Sequence, residues 1–228
     1  MSVFDKPGGM RPHPDQHYGC LTYAQHGDDL MLVNLFRLMG IEKPSYLDVG
    51  AHHPFNISNT ALLYERGSRG INVEANPELI MAFKVHRPKD INLNFGVATV
   101  NGEMDFYMYS NTSGRNTLSR EEVAAVKSAM GDPKKIMKVK TVTINHIVDE
   151  YSGGKFPDLL TMDIEGMDLP VLRSMNLTVN SPKVICVEIR RPNTNLTRTL
   201  LQTMGYFLYC RMGENLFFIR NDLHQAVF

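Results

Sequence analysis

The chain has 228 residues, 24 basic and 24 acidic, so its formal charge is zero. A protein that gripped nucleic acid by its phosphates would carry a basic excess, and no nucleic-acid partner is expected. With 43% apolar and 21% charged residues, a chain of this length buries an ample core and is not a disordered one.

No apolar run nears the ~20 residues that a bilayer span needs, and residues 1–19 lack the apolar stretch of a signal peptide. Cys20, Cys186 and Cys210 form no CxxC pair. That pattern suits a reducing, cytoplasmic setting and neither a disulfide scaffold nor a zinc finger. Residues 1–22 read as an N-terminal arm before a single domain over 23–228.

The domain opens with a helix from Asp28 to Gly40, with two acids at its start and a glycine at its end. Tyr46 to Gly50 is a short apolar strand ending in a glycine turn. Asn59 to Arg66 reads as a helix closed by Gly67, and Gly70 to Glu74 as a second strand. Asn76-Pro77 begins the next helix, a cap residue with proline at the first helical position. Ile91 to Phe95 alternates as a third strand. This βαβαβ rhythm predicts a Rossmann-like, doubly wound α/β sheet with parallel strands. Residues 103–144 break the rhythm, with strands over 103–109 and 136–144 around a helix that Ser119 caps and Gly131 ends. They read as an insertion on the substrate side, packed over the open end of the sheet. Winding resumes with strands over 158–163 and 183–188, each ending on an acid, separated by a helix from Asp168 and followed by one over 196–204. A hairpin over 206–220 ends the pattern.

In such a sheet ligands bind beyond the carboxyl ends of the strands. Asp48, Glu74, Asp163 with Glu165, and Glu188 stand at those ends. Gly50 allows close approach of backbone to a ligand, and an acid at Glu74 suits a ribose diol. The turn after Asp48 is no GxGxxG, since His52, His53 and Pro54 follow, and the chain has no GxxxxGK[ST]. A pyrophosphate is therefore disfavoured. A nucleoside ligand without one, such as S-adenosylmethionine, fits better.

The blocks from Tyr46 to Pro54, Ser58 to Thr60, Tyr64 to Gly67, Gly70 to Pro77 and Asp158 to Gly166 resemble the FkbM-type methyltransferases. The resemblance implies a class I methyltransferase fold: a mostly parallel seven-stranded sheet with an antiparallel last strand, which the 206–220 hairpin would supply. It implies S-adenosylmethionine as cofactor, with Gln25, Asp48, Gly50, Ser58, Glu74, Ala75, Gly96, Val97 and Asp163 around it. It also implies an O-methyltransferase for a small-molecule acceptor, a sugar or glycosylated metabolite. The His52-His53-Pro54 turn departs from the commoner Asn-then-Gly version. Ser58 is equally readable as a helix cap, and the Phe95-Gly96-Val97 stretch as a plain turn.

His53 is the expected general base, because a free imidazole titrates at about 6.5 and suits removal of a hydroxyl proton, with His52 as substitute. Asp163 completes the expected catalytic set. Asp163 and Glu188, on neighbouring strand ends, could share a Mg²⁺ that acidifies the acceptor hydroxyl. Without metal, Asp163 would touch the hydroxyl directly and Glu188 would pair with Arg190 or Arg191. A catalytically silent binding module and a methyltransferase of a non-sugar small molecule stay open as alternatives, as does assembly into a homo-oligomer.

Overall fold

The computed structural model describes residues 22–177, 180–189 and 193–228. Most of the expected N-terminal arm, with Cys20, lies outside the described residues, as do Arg190 and Arg191. In chain order the first elements are α1 (Asp28–Leu38), β1 (Tyr46–Val49), α2 (Ala61–Glu65), β2 (Gly70–Val73), α3 (Pro77–His86) and β3 (Ile91–Leu93). Then come β4 (Gly96–Val97), β5 (Gly102–Met108), α4 (Arg120–Met130) and β6 (Lys135–Val142). The remainder is α5 (Ile144–Ser152), β7 (Leu159–Met162), α6 (Asp168–Arg173), β8 (Val184–Glu188), α7 (Thr194–Thr203), β9 (Tyr206–Met212), β10 (Asn215–Arg220) and the short α8 (His224–Val227).

Seven strands form one sheet in the order β3-β2-β1-β7-β8-β10-β9. All neighbours are parallel except β10, which runs antiparallel to both β8 and β9. The doubly wound sheet and its antiparallel last strand are those expected from the sequence. The chain winds outward from β1 to β3, then returns to lay β7 on the other side of β1, which puts the topological switch between β1 and β7.

Strand side chains alternate between two cores, as the period of two requires. Leu47, Val49, Leu160, Met162, Ile185 and Val187 pack into one. Tyr46, Leu159, Val184 and Cys186 pack into the other, beneath Leu32, Leu35 and Phe36 of α1. Asn76 and Ser119 cap their helices as the sequence signals, accepting from the amides of Glu78 and Glu122.

The segment after β3 forms a second sheet of three strands, ordered β4-β6-β5. Gly96–Val97, which also reads as a plain turn in the sequence, is here a strand that pairs parallel to β6. A two-residue strand carries no alternation for sequence analysis to detect. Among the described residues, no helix is long and apolar enough to cross a membrane.

Candidate active site

A cleft of about 420 Å³ opens where β1, β2 and β7 end. Gly50 forms its floor at φ +79°, and a Cβ there would stand 1.9 Å from the carbonyl oxygen of Asp163. The amides of Gly50 and Ala51 both donate to Val73 O, and the Asp163 amide donates to Val49 O. The three strand ends are thus laced into one ledge.

Two buried carboxylates stand on this ledge. Glu74 accepts the His52 amide on Oε2 at 2.9 Å and the Asn76 amide on Oε1 at 2.7 Å. Burial pushes its carboxyl up, against the pull of those two amides. Each oxygen keeps a further lone pair for a ligand. Asp48 accepts the Thr60 hydroxyl at 2.6 Å, and burial raises its carboxyl while that bond lowers it. Ser58 lines the cleft and also caps, accepting the Ala61 amide at 3.2 Å.

At the other end, Asp163, Glu165 and Glu188 each bring a carboxylate oxygen within 4.8 Å of the others. Asp163 opens onto the cleft but is walled by protein elsewhere. Burial, and then Glu165, push its carboxyl well above the usual range. Burial, and then Glu188, push Glu165 up to about 9. Burial also raises Glu188, which hydrogen-bonds with Asp163 and Glu214. Like charges this close cannot all ionise without a counter-cation. Among the described residues the Arg115 guanidinium approaches, 3.5 Å from Glu165 Oε2. Among the described residues, the carboxyl groups of Asp48, Glu74, Asp163, Glu165, Glu188 and Glu214 line the cleft, with the Arg115 guanidinium beside them.

Residues 112–118, between β5 and α4, wall the open side. The Thr117 hydroxyl donates to Glu165 O at 2.6 Å, and Asn76 Nδ2 donates to Asn111 O at 2.8 Å. His52 Nε2 lies 3.1 Å from Thr112 O. A carbonyl only accepts, so this nitrogen carries the proton and donates, and it is not available as a base. His52, Ile57 and Glu165 have φ of 55°, 57° and 50°, the positive-φ residues other than glycine among those described. All three line the cleft. Non-glycine residues rarely adopt this backbone, and such strain concentrates at functional sites.

The structure brings Gln25, Asp48, Gly50, His52, Ser58, Glu74, Ala75, Gly96, Val97, Asp163 and Glu188 to this one cleft. It does not bring His53 there. That ring turns back on its own loop, where Nδ1 accepts the amides of Phe55 at 3.1 Å and Asn56 at 2.9 Å. The expected general base thus has its Nδ1 committed to its own turn, and Asp163 and Glu188 face the cleft without it. Sequence reasoning missed Arg115 and Glu214. Arg115 sits in a polar loop with no periodic pattern, and Glu214 is a hairpin-turn residue that only sheet order carries to β8.

A family profile described as the Methyltransferase FkbM domain matches residues 48–213. A search of the curated proteins finds no match. Among solved structures, the chain is similar to methyltransferase FkbM from Methylobacillus flagellatus KT, with 12% identity and a TM-score of 0.49 over 78% of this chain and 44% of that one. It is also similar to monomeric WbdD, with 14% identity and a TM-score of 0.45 over 92% of this chain and 44% of that one. A TehB-like SAM-dependent methyltransferase from Corynebacterium glutamicum matches at 13% identity and a TM-score of 0.44, over 86% and 88% of the two chains. The chain thus spans less than half the length of the first two of these proteins.

Proposed function

We infer the reaction from one premise: this chain belongs to the FkbM methyltransferase family and is a methyltransferase of class I fold. In this reading it moves a methyl group from S-adenosylmethionine to a hydroxyl of a small acceptor, a sugar or glycosylated metabolite. The observation that carries the reading is Glu74, a buried carboxylate at the end of β2 that lines the cleft beside the Gly50 floor and keeps lone pairs free of its two amide bonds, which suits the ribose diol of an adenosyl donor.

The lining residues fit that donor. Glu74 would hold the ribose hydroxyls on its spare lone pairs. Gly50 leaves room for close approach, and Leu79, Phe95, Val97 and Leu118 offer apolar surface for the base. Bound there, the donor supplies an activated methyl group on a positively charged sulfur. The protein's part is to align an acceptor oxygen, take its proton and exclude water. A carboxylate held well above its usual range, as Asp163 is, suits removal of a hydroxyl proton near neutral pH. Residues 112–118 shield the cleft from solvent.

The trio of Asp163, Glu165 and Glu188 favours a metal-assisted version of the same reaction. Their oxygens are the donors that a hard divalent ion prefers, and Mg²⁺ held by them would orient and acidify the acceptor hydroxyl. The 103–144 insertion is the acceptor-side element in this reading. The free thiols of Cys186 and Cys210 support a reducing, cytoplasmic setting.

Calorimetric titration with S-adenosylhomocysteine tests the cofactor. Wild type is expected to bind, and Glu74→Ala to bind roughly tenfold or more weakly, as loss of charge-assisted bonds implies. No heat with wild type would overturn the reading. A methyl-transfer screen over sugars and glycosides, run with EDTA and then with added Mg²⁺, tests the acceptor and the metal.

A further inference from the structure

Arg87, at the end of α3, has no exposed surface. Its guanidinium lies 5.2–5.3 Å from the ring centroids of Tyr46, Tyr64 and Phe83. Three of its nitrogens donate: Nε to Asp90 at 3.0 Å, Nη2 to the Tyr46 hydroxyl at 2.8 Å, and Nη1 to Thr60 Oγ1 at 3.0 Å. The Thr60 oxygen lies 2.6 Å from Asp48 Oδ2. Elementary chemistry sets the polarity of this chain. A guanidinium can only donate, so the Thr60 hydroxyl accepts from it and directs its own hydrogen to Asp48. Asp48 Oδ1 has no partner among the described residues, and Asp48 lines the cleft.

A fully buried ion pair such as Arg87–Asp90 contributes little net stability, since an apolar replacement does as well or better. The third nitrogen of Arg87 reaches beyond that pair, to Thr60. We infer that Arg87 is a positioning residue for the cofactor cleft: acting through the Thr60 hydroxyl, it fixes the direction and the negative charge of Asp48. The inference rests on the cofactor reading above.

The charged and titratable groups around Asp48 come from every element packed on it. Arg87 and Asp90 lie behind it, Glu74 stands at the end of β2, and Cys186 lies on β8. Among these Arg87 is the cation. A hydroxyl bonded to the ionised carboxylate favours that form, so its removal raises the carboxyl. As pH falls, Asp48 then loses its charge sooner, and affinity for a ligand that sets its ammonium group against Asp48 falls with it.

The test is titration of S-adenosylhomocysteine into wild type, Thr60→Val and Thr60→Ser from pH 5.5 to 8.5. Thr60→Val keeps the shape and removes the hydroxyl, and Thr60→Ser restores it. The expected result is roughly tenfold weaker binding by Thr60→Val at pH 7, from the lost charge-assisted bond. Its acid-side loss of affinity should move to higher pH, and Thr60→Ser should return both to wild type. A folded Thr60→Val with wild-type affinity and pH profile overturns the inference. Carboxyl-carbon NMR on wild type tests it with no variant at all: Asp48 ionised at pH 7 is expected, and a protonated Asp48 overturns it. Binding absent from wild type would instead remove the cofactor reading.

Discussion

The backbone of Gly50 lies so close to Asp163 that a single methyl group on Gly50 would be driven into the Asp163 carbonyl, 1.9 Å away. The obstacle is backbone, which cannot swing aside, and Gly50 has φ of +79° besides. Gly50→Ala should therefore cost at least ~3 kcal/mol of stability, by clash and strain together. Urea unfolding measures this. A variant as stable as wild type would mean that the strand ends are not laced as described.

Stability should fall as the solution becomes more alkaline. Glu165 releases its proton near 4.5 when unfolded but holds it to about 9 in the fold. Between those values the folded state binds the extra proton, so the free energy of unfolding decreases as pH rises. The melting temperature should drop from pH 5 to pH 9, and Glu165→Gln should flatten that drop. A melting temperature that climbs across this window would contradict the raised carboxyl.

His53→Ala should cost ~1 kcal/mol, because two turn amides lose their acceptor. Its methyl-transfer rate should stay within a few fold of wild type. A rate loss of ~10²-fold or more would restore the imidazole as a general base. Denaturation and turnover measured on the same preparation separate the two roles.

Ile57 is a β-branched residue in the left-handed region, and it is 54% exposed. Asparagine tolerates that backbone far better. Ile57→Asn should stabilise the protein by ~1 kcal/mol, a rise of roughly 2–4 °C, while weakening S-adenosylhomocysteine binding at the cleft that Ile57 lines. A lower melting temperature would show that side-chain contacts outweigh the strain.

The parallel sheet was legible because its strands are short apolar runs separated by capped helices. Asp48, Gly50, Glu74, Asp163 and Glu188 were legible because strand ends are where such sheets place ligands. The course of His53 was not legible because nearness to Gly50 along the chain does not tell which way a ring turns. Its nitrogen had two amides within three residues to accept from. Arg87 was invisible because an arginine at the end of a helix reads as an ordinary response to the helix dipole. Its burial depends on Tyr46, Tyr64 and Asp90 meeting in space. The 112–118 wall is polar and aperiodic, and only the pairing of Tyr107 with Thr117 reveals its course.

The place of β10 also bears on how the nascent chain matures. Since β10 slips between β8 and β9, the strand Val184–Glu188 pairs with β7 on one side and waits for residues 215–219 on the other. That waiting edge is mostly apolar, Val184-Ile185-Cys186-Val187, with Pro182-Lys183 before it and Glu188 closing it. Synthesis runs from the N-terminus, so the edge is made before its cover. Damage to the β9–β10 hairpin would therefore be read out as self-association and loss of soluble yield, ahead of any change in the chemistry of the cleft.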